Sequence, residues 1–250
     1  MDKLGVSNWR QYPHWTRGPA RIDEGHIVLD ESRAEKYFLL EPEGLLFDFA
    51  DLTHPDPTNP DPQHAKAFAR RYGLLWHGAE DLDGGQCREP LQRWWEESYD
   101  LAVSLDLYVR LTEAVDAKSA EPLRAAAGNF MDFVEGGSLD DDDYWIEAAS
   151  LVLAEVVSIK LNDCKLGLAS SLGIDVEPRS PVTFLLAHRP HDLVEAAYAL
   201  FAMAIVHRAP MRWCPGCGRM FTPRSGKQKY HSPSCASTSR WRRWNQRQTN

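Results

Sequence analysis

The chain has 250 residues, of which 43% are apolar and 26% charged, so it can bury a sizeable core as one large domain or as a main domain with a small module. It contains no uninterrupted apolar run of about 18 residues, and residues 1–5 (Met-Asp-Lys-Leu-Gly) lead into no apolar signal core, so the expectation is a cytoplasmic protein without a membrane span. The net charge of −8 conceals an asymmetry: residues 207–250 hold ten Lys or Arg and no acidic residue, a balance of +10. Residues 1–206 hold the other eighteen basic and all 36 acidic residues, a balance of −18. A basic tail on an acidic body points to two functional parts, 1–207 and 208–250.

Residues 1–50 read as β-rich and irregular. The runs 26–29, 36–40 and 45–49 are short, apolar and bounded by Asp, Glu, Pro and Gly. Residues 51–62 carry four prolines and read as a loop. A helix follows over 62–72, with Asp61 as N-cap, Pro62 at the first helical position and Gly73 as terminator. Residues 78–85, rich in Gly and Asp, read as a second loop.

A long helix begins near Pro90, supported by Leu91, Trp94, Trp95, Leu101, Leu105, Tyr108 and Leu111. The helical spacing makes Trp94 and Trp95 core residues rather than the lining of a ligand pocket. Another helix is expected over 119–133 with Pro122 in its first turn. The run Asp140-Asp141-Asp142-Asp143 precedes a strong helix over 144–161. Carboxylates there complement the helix dipole, a commoner role for them than holding a divalent cation. Residues 182–186 read as a strand and 192–207 as a last apolar helix. The fold class expected is α+β, mainly α: a helical body with a few short strands near its ends.

The strongest signal lies beyond that helix. In Cys214-Pro-Gly-Cys217-Gly the second cysteine is separated by thirteen residues from His231, and three residues separate His231 from Cys235. Two such pairs at short range build a tetrahedral metal site, so Cys214, Cys217, His231 and Cys235 are the candidate ligands of one structural Zn2+. Cys87 and Cys164 are isolated, and an odd cysteine count clustered this way argues for metal rather than disulfides. Four ligands close the shell, and no Glu in the tail offers a base, so the ion is structural rather than catalytic. His64, His77, His188, His191 and His207 have no ligand-like spacing. Residues 220–222 and 228–230 read as a hairpin with Phe221 and Tyr230 as a small core. Ser232-Pro233 reads as the start of a helix with Cys235 in its first turn. Knuckle, hairpin and helix together make a treble-clef-like finger.

On that helix Arg240, Arg243 and Arg247 share one face, with Trp241 and Trp244 beside it. Arginine beside aromatic rings grips phosphates and stacks on bases, so these five residues with Arg224, Lys227 and Lys229 form the candidate contact to DNA or RNA. The competing reading docks the tryptophans on protein, at least one of them as core, with the arginines solvated or facing the acidic body. No Gly-x-Gly-x-x-Gly, P-loop, His-Glu-x-x-His or Gly-x-Ser-x-Gly motif occurs in the chain, and no catalytic residue is assigned.

The tail, Arg212-Trp213-Cys214-x2-Cys217-Gly-Arg-x-Phe221 and then Lys229-Tyr230-His231-Ser232-x2-Cys235 before an Arg-rich helix, resembles the bacterial CGNR-type zinc fingers. The helix over 192–207 running straight into it is similar too, as is Phe68-Ala-Arg-Arg-Tyr72-Gly73-Leu-Leu in the body. The name-giving Cys-Gly-Asn-Arg stands here as Cys235-Ala-Ser-Thr. In that family the finger closes a larger helical domain, often called ABATE, and the proteins are regarded as stress-linked transcription regulators. The resemblance therefore implies zinc ligation by Cys214, Cys217, His231 and Cys235, and DNA binding by the tail. Two other functions stay open: a zinc-stabilised protein–protein module, by a partner or by self-association, and an enzyme with its site in the acidic body.

Overall fold

A computed structural model describes residues 15–37, 42–53, 56, 58–75, 80–82, 85–126, 141–162, 165–170 and 184–248. Seven helices and ten short strands occur among them, the strands all in antiparallel pairs, so the fold is α+β and mainly helical.

The N-terminal strands come first. β1 (Trp15–Arg17) pairs with β4 (Glu35–Tyr37), and between them β2 (Ala20–Asp23) and β3 (His26–Asp30) form a hairpin. Its two-residue turn, Glu24-Gly25, has positive φ at both positions (45° and 77°), the twist that suits a tight hairpin. β3 also pairs with β6 (Gln86–Pro90), which pairs with β5 (Glu80–Leu82), giving a four-stranded sheet in the order β2-β3-β6-β5. β5 corrects the expectation of a loop over 78–85, and β6 has no counterpart in the sequence reading. Both strands are polar, and their strand character comes from pairing with the apolar β3 rather than from their own composition.

A second correction concerns 45–49. This run is not a strand; it lies in helix α1 (Pro42–Ala50). Leu45 and Phe49, and Leu46 and Ala50, are four residues apart and all buried, so the run presents one helical face to the core. The loop expected over 51–62 opens with a 3-10 turn, Asp51–Thr53.

α2 (Pro62–Tyr72) keeps the expected limits: the Asp61 carboxylate accepts from the Gln63 N–H at 2.9 Å, and Gly73 closes it at φ 94°. A Cβ at Gly73 would lie 2.0 Å from the Thr16 carbonyl oxygen, so the strand-to-helix approach there demands glycine.

α3 (Leu91–Ala117) is the long central helix. Trp94 is fully buried, its indole N–H donating to the buried Glu89 carboxylate at 3.1 Å, whereas Trp95 is only partly buried. α4 (Glu121–Arg124) is a single turn with Pro122 at its start; the remainder of the helix expected to 133 falls outside the described residues after 126. α5 (Asp142–Lys160) is capped by the Asp141 carboxylate, which accepts from the Asp143 and Tyr144 N–H groups, so the acidic run serves as a helix entry.

β7 (Lys165–Ser170) and β8 (Phe184–Arg189) form a further hairpin; β8 covers the end of the strand expected over 182–186, and 182–183 lie outside the described residues. α6 (Leu193–Val206) starts at the Asp192 cap and is buried almost all round, from Leu193 through Phe201 to Ala204. A helix apolar on every face belongs inside. α1, α3 and α5 pack around α6. Phe49, Phe68, Tyr72 and Trp94 stack in tilted and edge-on ring contacts beside it, and Tyr108 meets Phe201 edge-on. No helix among the described residues is long and apolar enough to cross a membrane.

Candidate metal centre

Four residues after the αL turn at Arg208 (φ 49°), the chain enters a small module: β9 (Arg212–Trp213), β10 (Met220–Phe221) and α7 (Pro233–Gln248). β9 pairs antiparallel with β10, placing Trp213 opposite Met220 and Arg212 opposite Phe221. The hairpin predicted between 220–222 and 228–230 is therefore replaced. The strand pair closes the knuckle itself, through Cys214 N–H to the Arg219 carbonyl at 2.9 Å and Gly218 N–H to the Cys214 carbonyl at 2.7 Å. Gly218 has φ 76°, as the turn requires. Residues 222–230 form turns instead, held by Arg212, whose guanidinium donates to the carbonyls of Gly226 and Gln228.

The knuckle and the first turn of α7 converge. Ser232 caps α7, its hydroxyl accepting from the Cys235 N–H at 3.3 Å. The two segments touch so closely that a Cβ at Gly216 would lie 2.8 Å from the Cys235 carbonyl oxygen. Arg242, two turns along α7, donates back to the Gly216 carbonyl at 3.1 Å, and the Tyr230 hydroxyl meets Ser239 at 3.1 Å.

Between them sit all four residues singled out by spacing. The sulfurs of Cys214, Cys217 and Cys235 and a ring nitrogen of His231 lie within 4.8 Å of one another and could hold one metal ion. His231 Nδ1 is 3.3 Å from Cys217 Sγ and 3.4 Å from Cys235 Sγ. Phe221, buried, packs beside the imidazole with ring centroids 6.4 Å apart. Tyr230 is only half-buried, so of the pair assigned to the small core only Phe221 is buried.

The crowding has an electrostatic consequence. The Cys217 thiol is pushed up to about 11, first by burial and then by the neighbouring sulfurs of Cys214 and Cys235. Burial also opposes ionisation of Cys214, but hydrogen bonds from His231, Gly216 and Cys217 outweigh it and draw that thiol down to about 6. Three thiolates this close repel one another, and a cation between them is what removes the penalty.

The module is docked on the body through the knuckle side. The Arg219 guanidinium pairs with the carboxylates of Asp51 and Asp48, the latter at 3.1 Å, and Asp48 also accepts from Arg71 at 2.6 Å and from the Tyr72 hydroxyl at 2.8 Å. The Trp213 indole donates to Asp106 at 2.9 Å. Met211 and Met220 belong to the same apolar cluster as the body helices. Sequence reasoning missed Arg219, Asp48, Asp51 and Asp106; their pairing spans more than a hundred residues and leaves no local pattern.

The residues assigned to nucleic acid separate into groups. Arg224, Lys227, Lys229 and Arg240 are exposed. Trp241 and Trp244 are 62% and 59% exposed, so neither is the core residue that one of them was expected to be. Helix geometry puts positions 240, 243 and 247 on one side of α7; the side chains of Arg243 and Arg247 lie outside the described residues. Of the histidines without ligand spacing, His64, His191 and His207 are exposed, while His77 and the side chain of His188 lie outside the described residues. Comparison with protein-family models, with curated proteins and with solved structures found no match to this chain.

Proposed function

We propose that the four-residue group holds one structural zinc ion and that the module it organises binds nucleic acid, as a transcription regulator of the CGNR type would. Three thiolates and one imidazole are a preferred donor set for zinc. Around an ion with Zn–S of about 2.3 Å and Zn–N of about 2.0–2.1 Å, a tetrahedron has S–N edges of about 3.6 Å. The two S–N separations of 3.3 and 3.4 Å match that shape with a small outward adjustment. A cytoplasmic setting suits thiols that must stay reduced, and the four described cysteines form no disulfide.

The observation that carries nucleic-acid binding is the division of labour within the tail. Arg219, Arg212 and Arg242 are spent on docking and on bracing the module. Arg240, Trp241 and Trp244 of α7 point to solvent on a segment that has no carboxylate of its own. A cationic helix with exposed indoles grips phosphate and stacks on unpaired bases. A treble-clef-like relation of knuckle to helix supports this reading, although the middle hairpin of that arrangement is replaced by turns.

The test is fluorescence anisotropy with labelled single- and double-stranded DNA and RNA over a salt series. Binding should weaken with a log–log slope of about −0.9 per phosphate contacted on duplex DNA. Arg240→Ala combined with Arg243→Ala should lower that slope and cost at least tenfold in affinity. Absence of binding at low salt, or indifference to the double substitution, overturns the reading. The two exposed tryptophans also favour a second reading, a zinc-stabilised platform for a protein partner. Partner capture that survives nuclease treatment and is lost with Trp241→Ala would select it.

A further inference from the structure

α3 and α5 pack antiparallel, with the end of α5 beside the start of α3: Lys160 pairs with Glu97 and, at 3.0 Å, with Asp100, while at the other end Asp142 pairs with Arg124 of α4, which follows α3. Between the two helices runs a groove of about 290 Å³. Its apolar walls come from residues at helical spacing on each side, Val103 and Leu107 on α3 and Val152, Val156 and Ile159 on α5. Ile159 is 63% exposed and Tyr99, at the edge, 45%, so the apolar surface is open to solvent among the described residues.

The charges on the groove are unequal. Among the described residues, Asp100 and Glu155 line it against a single cation, Lys160, and that cation is already shared with Glu97, which is 8% exposed. Over these four groups the formal balance is −2. Burial alone would lower the Lys160 ammonium, but its pairing with Glu97 and Asp100 holds it above the ordinary lysine range, so the lysine stays charged and committed. Its Nζ also lies 5.7 Å from the ring centroid of the buried Tyr198.

We propose that this groove binds a lipophilic organic cation, an aromatic or alkyl ammonium compound. Apolar walls take up the hydrocarbon. Asp100 and Glu155 at the rim of a low-dielectric groove attract the positive head, and Tyr99 offers a ring for cation–π contact. An anionic amphiphile of the same shape meets repulsion. The −18 balance of residues 1–206 adds long-range attraction of the same sign. The volume sits at the small end of ligand pockets, fitting one small molecule rather than a peptide helix. This site is independent of what α7 binds.

The test is isothermal titration of the full, metal-loaded chain with benzyltriethylammonium and with benzylsulfonate. Saturable one-to-one binding of the cation, at least tenfold tighter than the anion, is expected. Ile159→Arg, an exposed position that places a like charge at the groove, should weaken cation binding at least tenfold. Leu151→Arg, equally exposed on α5 but outside the lining, should leave it unchanged. Glu155→Gln, an exposed rim change with little risk to folding, should weaken it several-fold. Equal binding of cation and anion, or identical effects of Ile159→Arg and Leu151→Arg, overturns the proposal. So does a concentration-dependent dimer that Ile159→Arg abolishes, because the occupant of the groove would then be a second copy of the chain.

Discussion

The acidic body and the basic module are stabilised by different physics. The body is organised around α6, whose Leu193, Tyr198, Leu200 and Phe201 are fully enclosed by α1, α3 and α5. Burial of that kind is distributed, so many side chains contribute modestly. The module spans about forty residues and lends only a few side chains, among them Met211, Met220 and Phe221, to any apolar core. Its four donor atoms are drawn to one point, and with zinc bound there as proposed its order would depend on that centre. A region held by many weak contacts degrades gradually, whereas one held by a single centre is either formed or lost.

The comparison breaks first at the metal. Cys217→Ala should abolish stoichiometric zinc in elemental analysis of the purified protein, where the unsubstituted chain should carry one per molecule. Structural zinc sites contribute about 10–16 kcal/mol of apparent binding free energy in isolated fingers, which makes this the largest effect expected of any single substitution here. The body should persist: its main cooperative thermal transition is retained, while protease cuts appear within 212–248. Phe201→Ala is the converse experiment. It opens a cavity at a fully buried ring and should cost about 3–5 kcal/mol in denaturant unfolding, with zinc content unchanged in the folded fraction. If Cys217→Ala unfolds the whole chain, or leaves the metal in place, the contrast between the two regions is wrong.

The contact between the regions is the next largest effect. Arg219 reaches Asp48 and Asp51 from the knuckle, and these side chains remain 44%, 26% and 15% exposed. Solvent screening therefore limits the pairing, and a double-mutant cycle of Arg219→Ala with Asp51→Asn should return a coupling of about 1 kcal/mol that shrinks as salt rises. A coupling near zero at low salt would leave the docking to Asp48, to the Trp213–Asp106 hydrogen bond and to the apolar contacts of Met211 and Met220.

The two regions also differ in how far sequence alone reveals them. The clustering of Cys214, Cys217, His231 and Cys235 was legible because a knuckle and a capped helix are local devices: Cys214, Gly218 and Ser232 each act within a few residues of their partners. The limits of α2 were legible for the same reason, through Asp61, Pro62 and Gly73. α1 was misread because two adjacent apolar pairs, Leu45-Leu46 and Phe49-Ala50, look alike as a short strand and as one helical face. Only the partner, α6, decides between them. β5 and β6 escaped notice because Asp81, Arg88 and Glu89 are ordinary loop residues until β3 lies alongside. The hairpin expected from 228–230 did not form: β10 pairs instead with β9, the strand leading into the knuckle, and Arg212 holds the carbonyls of Gly226 and Gln228 in turns. Docking through Arg219, 168 residues from Asp51, lay beyond any periodicity.

The smallest effect sharpens the comparison from the body side. Tyr198 is fully enclosed, and its hydroxyl makes no hydrogen bond of good geometry among the described residues. Burial, reinforced by the negative charges of Asp100 and Glu97, pushes its ionisation far above the ordinary tyrosine range. A group whose folded value is raised contributes stability that is complete below its unfolded value, about 10 for tyrosine, and is lost as pH climbs towards the folded value. Lys160, also raised, has the same sign and begins to contribute its loss near the unfolded lysine value of 10.5. Unfolding free energy should therefore decline above pH 10 by up to about 1.4 kcal/mol per pH unit for each proton involved. Tyr198→Phe removes one of these protons. Near neutral pH it should alter stability by less than about 1 kcal/mol, because no good hydrogen bond is lost. Above pH 10 its decline should be shallower than that of the unsubstituted chain, the difference isolating this phenol from the exposed tyrosines. Parallel declines would mean that the Tyr198 phenol ionises as an exposed one does, and that the body is less sealed at its centre than the packing of α6 implies.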